Sequence, residues 1–201
     1  IFGDIVKNRD MILNEQSLDY YAFFLEGSVN IRETPHFVVS FQPRVILEDE
    51  VLYRGRLYIN KESLTFSRAE YGLDMSDRQK VTRVILRRKP PSLRFTPEEV
   101  TFVASYIDRN GRSYLSYIRN EIKFRCDWRR RLFTTNYTIV SELVVTDGTD
   151  EVVSNIPVRL SFKPHQSLSD RVSDFFDPGF WEDYNIIEPT ESLESAVDRL
   201  K

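Results

Sequence analysis

Hydrophobic and polar residues alternate along several long stretches of the chain, most clearly over residues 114–128. In that stretch Ile118, Ile122 and Phe124 share one parity with other apolar residues, whereas the other parity is mostly charged. Successive side chains of a β-strand point to opposite faces of the sheet, so the pattern predicts a strand with one buried and one solvated face. Residues 132–146 repeat the pattern, which predicts a second such strand.

Turn residues connect these strands into antiparallel hairpins. An Asn-Gly pair at 110–111 tolerates the positive φ angles of a two-residue hairpin turn, so it joins a strand at 100–107 to a strand at 113–128. An Asp-Gly pair at 147–148 is similar and predicts a fourth strand within 152–162.

The N-terminal half carries shorter apolar stretches that also predict strands, although their alternation is less regular. They lie at residues 20–25, 37–41, 51–60 and 64–71. Residues 75–88 break the alternation and predict a short helix, which the two prolines at 90–91 end.

Two helices are predicted near the C-terminus, at residues 167–176 and from residue 189 onward. The apolar residues of the last helix recur every three or four positions, which gives it one buried stripe of Leu193, Ala196, Val197 and Leu200. The segment between the helices, 177–192, is rich in aromatic residues. We interpret it as a clamp that anchors the last helix across the sheet, and an aromatic lip of a ligand site is the alternative.

These elements predict an α+β fold that is mainly antiparallel β, with a strongly curved sheet or incomplete barrel and a few helices packed on it. We expect a single domain over residues 1–201. The sheet region occupies 18–162, and a helical and aromatic strap occupies 163–201. The 201 residues are enough to bury a sizeable core without disulfides or metals.

The amino-acid composition limits the kinds of partner that the chain is expected to bind. The net charge of −3 disfavours a broad nucleic-acid-binding face, and no apolar run approaches the ~20 residues of a membrane-spanning helix. The single cysteine, Cys126, excludes an internal disulfide, which fits a reducing compartment or a periplasmic protein. Cys126 shares alternate positions with the inward-facing apolar residues of its strand, which predicts a buried, inert thiol.

Motifs for catalysis, metals and cofactors are missing from the sequence. The two histidines, His36 and His165, have no cysteine or paired acid at a ligand spacing, so we expect no metal site. The seven glycines form no phosphate-binding loop, and no serine sits in a nucleophile elbow. We therefore expect no cofactor and no enzymatic activity, with a hydrolase lacking a known motif as a minor alternative.

Three adjacent arginines, Arg129, Arg130 and Arg131, lie between the strands at 113–128 and 132–146. A hairpin tip meets water, so the favoured interpretation is a solvated turn. A contact with an anion or with a partner protein is the alternative.

Several segments carry a family resemblance. "VVSFQPR", "YRGRLYINKESLTFSRAEYGL" and "FWEDYNIIEP", together with the region from "DRNGR" to "ELVVTD", resemble the C-terminal region of Bacteroidetes envelope proteins. Those proteins are named carboxypeptidase-like regulatory domain-containing proteins, and the similarity spans residues 20–200. It implies an exported bacterial protein in the periplasm or associated with the outer membrane, with its signal peptide outside this chain. It implies no peptidase activity.

A weaker resemblance concerns the fold. Residues 55–66 are similar to the strand-turn-strand unit of lipoprotein-carrier-like periplasmic proteins. Those proteins are incomplete barrels wrapped around a helix, and the resemblance implies an apolar concavity that holds acyl chains.

The favoured hypothesis is a non-enzymatic binding or assembly domain of the cell envelope. It would hold a lipid, another apolar ligand or a segment of an envelope protein partner on the apolar side of the sheet. The candidate ligand-binding residues are Phe102, Ile118, Phe124, Phe133, Tyr137 and Ile139. The side chains of an ordinary hydrophobic core would occupy the same alternate positions. A structural or interaction domain with no small-molecule ligand is therefore the alternative.

Overall fold

The fold is known from a computed structural model, which describes residues 3–86, 89–129, 133–148, 154, 157–159 and 161. The chain divides into two units, Ile1–Thr149 and Asp150–Lys201, and the sheet belongs to the first. Apart from the isolated residues just named, the predicted strand at 152–162 lies outside the described residues. The predicted C-terminal helices and the strap at 163–201 lie outside them as well.

The described part of the first unit is a seven-stranded antiparallel sheet with three short helical segments. The helical segments are a 3-10 turn Arg9–Met11, α1 Glu15–Leu18 and α2 Arg78–Ile85. The strands are β1 Tyr21–Ile31, β2 Thr34–Pro43, β3 Tyr53–Asn60, β4 Phe66–Leu73, β5 Leu93–Arg109, β6 Arg112–Trp128 and β7 Thr135–Val144. Each strand pairs with the next one along the chain, so the sheet order is β1 to β7. The predicted mainly antiparallel fold is confirmed.

The β5–β6 hairpin is the longest pairing of the sheet. Its turn residues Asn110 and Gly111 have φ angles of 53° and 73°, as a tight hairpin turn requires. β5 begins at Leu93, earlier than the predicted start at residue 100. The register shifts between Pro97 and Glu99, and this bulge allows a proline to lie within the strand.

The helix predicted at 75–88 is shorter in the structure, where α2 covers Arg78–Ile85. Asp77 caps its first turn, because the Asp77 carboxylate accepts hydrogen bonds from the backbone N–H groups of Gln79 and Lys80, each at 3.0 Å. Val81 is the residue that α2 buries.

The two faces of the sheet differ sharply in polarity. The apolar face carries the core, including Phe41, Leu57, Ala69, Tyr71, Val100, Phe102, Ala104 and Ile118. The opposite, polar face carries ion pairs between neighbouring strands, such as Lys123 Nζ with Glu99 Oε2 at 2.7 Å. The alternation in the sequence predicts this division.

Residues 3–20 pack against the apolar face, although their sequence predicts no element there. Ile5 and Ile12 are fully buried members of the core. Tyrosine hydroxyls of the sheet hold the backbone of this N-terminal segment, since Tyr71 Oη donates to Gly3 O at 2.7 Å and Tyr21 Oη donates to Met11 O at 3.2 Å. The N-terminal segment is thus part of the domain core.

These buried tyrosines predict a loss of stability in alkali. Burial raises the pKa of Tyr53 to about 12 and also raises the pKa of Tyr71 and Tyr106. Below pH ~10 the folded and unfolded chains both keep these protons, so the stabilisation is fully present. Above pH ~10 the unfolded chain releases them first, and the free energy of unfolding falls as the pH rises through the folded-state pKa values.

The measurement is the ultraviolet absorbance of tyrosinate, recorded together with circular dichroism during a titration with base. We expect part of the tyrosinate signal to appear only with the loss of β-sheet signal. Titration of all ten tyrosines near their ordinary pKa in an intact fold would contradict the buried hydroxyl arrangement.

Candidate functional site

Two of the six candidate ligand-binding residues lie in the covered core. Phe102 is 6% exposed and Ile118 is 5% exposed. A Cβ atom placed on Gly3 would lie 3.6 Å from Phe102 Cδ1 and 3.7 Å from Ile118 Cγ2, so the N-terminal segment packs directly on both. These two side chains are buried members of the domain core.

Three other candidates lie together on the apolar face of β6 and β7. Phe124 pairs with Tyr137 across the strands, and their rings stack with centroids 5.3 Å apart. Ile122 pairs with Ile139 in the same register. With Leu143, which lies opposite Ile118 on this face, these residues form what we call the apolar strip: Ile122, Phe124, Tyr137, Ile139 and Leu143.

The apolar strip differs from the core in its access to solvent. Tyr137 is 44% exposed, Ile139 is 51% exposed and Leu143 is 37% exposed. Asn120 lies on the same face, opposite Ser141, and its buried Oδ1 has no hydrogen-bond partner among the described residues. A half-exposed apolar row of this kind is a surface that another molecule can cover.

The sixth candidate, Phe133, does not share this face. The predicted strand begins at residue 132, but β7 begins at Thr135, and Phe133 is 81% exposed. Its predicted inward position is therefore wrong. The preceding strand is extended to Trp128, and the Thr134 hydroxyl donates to the Asp127 carboxylate, so the chain turns before pairing resumes at Cys126 and Thr135.

The arginine cluster lies in the connection between β6 and β7. Arg129 is exposed, and its backbone N–H donates to Ser92 O at 3.1 Å. Arg130 and Arg131 lie outside the described residues. The prediction of a partner or anion contact at the three arginines stays a prediction.

Cys126 is 6% exposed, which confirms the predicted burial of the thiol. Burial, followed by the nearby Asp127 carboxylate, raises the pKa of the thiol and lowers the fraction of reactive thiolate.

A serine and a histidine meet at the start of β4. The His36 ring donates from Nδ1 to Thr34 O at 2.8 Å, and its Nε2 lies 2.7 Å from Ser67 Oγ, from which it accepts a hydrogen bond. This resembles a nucleophile and its base, but His36 is 3% exposed and neither residue lines a described cavity. Ser67 is the extra residue of the bulge between β3 and β4, so the contact fixes that bulge.

A groove of about 810 Å³ crosses the polar face between β1 and β6, and we call it the polar groove. Its walls carry the cations Arg54, Arg56 and Lys123 together with the carboxylates Glu26, Glu70, Glu98 and Glu99. Two glycines inside strands, Gly55 and Gly72, also line it. The candidate residue Phe102 is among the residues that line the groove. Sequence reasoning did not predict the groove itself, for which glycines within otherwise regular strands were the available signal.

Within the described ranges, no group of three His, Cys, Asp or Glu side chains could hold a metal ion. In the same part of the chain, every helix is too short or too polar to span a membrane.

Comparisons with family models, curated proteins and solved structures gave no match for this chain. The class defined by the fold and the surfaces is therefore a mainly antiparallel sheet domain, with an apolar face covered in part by its own N-terminal segment and a groove on its polar face.

Proposed function

We propose that this chain is a non-catalytic binding domain whose apolar strip receives an apolar segment of a partner protein. One observation carries the proposal: Tyr137 and Ile139 are about half exposed on the same sheet face that elsewhere forms buried core. Contiguous apolar surface is costly to leave in water and is typical of interaction sites.

A protein segment suits the apolar strip better than a small apolar ligand. Small ligands bind in concave cavities that bury most of their surface, and no strip residue lines either described cavity. An open row of side chains on two strands instead matches the apolar stripe of a helix or an extended segment. A lipid remains the alternative occupant. The strongly curved sheet expected from the sequence is part of the proposal, because curvature would increase contact around the segment.

The proposed location is the cell envelope, in the periplasm or at the outer membrane of a bacterium. This rests on the resemblance of residues 20–200 to Bacteroidetes envelope proteins. The partner is then an envelope protein. A hydrolase is disfavoured, because in the one close Ser–His contact of the described residues the His36 ring is buried and the contact serves a bulge.

Neighbouring residues of β7 offer a matched test of the apolar strip. Ile139 is 51% exposed and belongs to the strip, whereas Val140 is 44% exposed and points to the opposite face. Peptides would be selected against the protein from a random displayed library and measured by fluorescence anisotropy. We expect Ile139→Asn to weaken their binding about tenfold or more, which corresponds to ~1.4 kcal/mol. Val140→Asn should change it less than about twofold.

Two results would overturn this proposal. Equal losses in both variants would show that the apolar strip is not the docking surface. Native mass spectrometry of the purified protein gives the second result. If a lipid co-purifies with the protein and is lost in Ile139→Asn, the apolar strip binds a lipid and not a protein segment.

A further inference from the structure

We infer that the polar groove is a second binding site, separate from the apolar strip, and that it takes a neutral, hydroxyl-rich ligand such as an oligosaccharide. The groove lies on the opposite face of the sheet from the apolar strip, so the two sites can be occupied independently. Its volume of about 810 Å³ lies within the range of small-ligand sites.

The shape of the groove depends on backbone that carries no side chain. A Cβ atom added to Gly72 would lie 2.5 Å from Val100 O, and one added to Gly55 would lie 2.1 Å from Glu70 O. No larger residue fits either position without moving backbone. The two glycines therefore let neighbouring strands approach closely at the groove.

All but one of the charged side chains that line the groove are paired, and Glu98 is the exception among the described residues. Arg56 Nε lies 2.8 Å from Glu26 Oε2, and Lys123 Nζ lies 2.7 Å from Glu99 Oε2. Arg54 Nη2 lies 3.8 Å from the carboxylate of Asp74. A phosphate or other anion would have to displace these carboxylates and would also face the carboxylate of Glu98. An anionic ligand is therefore disfavoured.

Three of the four carboxylates that line the groove already have a cationic partner, so a cationic ligand could pair only with Glu98 without breaking an ion pair of the described residues. A ligand hydroxyl has no such conflict. It donates to a carboxylate and accepts from a guanidinium or ammonium group, so it can bridge an existing ion pair without breaking it. Ser40, Gln42 and Thr101 add neutral donors and acceptors to the same walls.

The test uses four neutral trisaccharides, namely maltotriose, cellotriose, xylotriose and chitotriose, with inorganic triphosphate and trilysine as charged comparators. Amide chemical shifts of the isotope-labelled protein are recorded during each titration. We expect at least one trisaccharide to shift the amide signals of Gly72 and Thr101. Because the ligand is uncharged, the affinity should change less than about twofold between low and high salt. The inference is overturned if no trisaccharide shifts these signals, or if only a charged comparator does.

Two glutamates provide a matched pair of variants. Glu99 lines the groove and its side chain is 47% exposed, whereas Glu142 lies outside the groove and its side chain is 49% exposed. Each pairs with a cation of β6. Glu99→Gln is expected to weaken trisaccharide binding about tenfold, with the thermal unfolding midpoint unchanged, and Glu142→Gln should leave the affinity as it is.

Equal effects of the two variants would contradict the assignment. Ile139→Asn serves as a further control, because it alters the apolar strip and should not affect trisaccharide binding. Failure of the groove inference can thus be told apart from failure of the proposed function.

Discussion

Replacement of Gly55 by alanine is expected to destabilise the domain by about 3 kcal/mol. The added Cβ would lie 2.1 Å from Glu70 O and 2.6 Å from Tyr71 Cα, and both atoms belong to the backbone of the paired strand. Neither can move aside as a flexible side chain could. Since β3 and β4 occupy the middle of the sheet, the strain would spread to the pairings on both sides.

The measurement is the midpoint of denaturant unfolding, with an unchanged slope as the sign that only stability has changed. Gly148→Ala is the matched control, because its Cβ would have Arg109 Nη1 as its nearest neighbour, at an ordinary 3.7 Å. The close approach of β3 and β4 would be refuted if the two alanine variants unfolded at the same denaturant concentration.

Truncation of Ile12 to alanine is expected to cost about 3 kcal/mol of unfolding free energy, the usual loss for a large aliphatic side chain removed from a packed core. Ile12 is fully buried, although it lies outside the sheet in the N-terminal segment. Its burial depends on the contact between this segment and the apolar face.

Ile107 provides the comparison, since it is a β5 residue that is 47% exposed. We expect Ile107→Ala to cost less than about 1 kcal/mol. Chemical denaturation of both variants measures the difference. Equal costs would mean that the N-terminal segment does not belong to the cooperative core.

Alternation along the chain predicted that the seven described strands exist, because the faces of a sheet impose a period of two on the sequence. It did not predict all their bounds, since β1 extends to Ile31 beyond the predicted end at residue 25. The Asn110-Gly111 turn was equally readable, since few residue pairs adopt two positive φ angles. The bulge at Pro97 could not be predicted, because alternation fails where an extra residue enters a strand. β5 was consequently predicted too short.

The N-terminal segment could not be predicted for a different reason. Its 3-10 turn and four-residue helix are too short to impose a recognisable period. Long-range hydrogen bonds hold it instead, such as those from Tyr71 to Gly3 and from Tyr106 to Asp4. No local pattern in the sequence predicts such long-range contacts.

Parity placed Phe124, Tyr137 and Ile139 on the apolar face, but parity cannot distinguish a covered part of that face from an open one. Phe102 and Ile118 share the same parity and are buried by the N-terminal segment. The polar groove could not be assembled from the sequence, because it combines residues of six strands whose proximity depends on the sheet order.

The central claim is that the apolar face has a part covered by the N-terminal segment and an open part at β6 and β7. Isoleucine methyl relaxation in the presence of a soluble paramagnetic chelate tests both parts in one experiment. We predict slow relaxation for Ile5, Ile12 and Ile118, which are at most 5% exposed, and fast relaxation for Ile139, similar to that of the exposed Ile107. Protection of Ile139 equal to that of Ile118, or exposure of Ile5 equal to that of Ile107, would contradict the account.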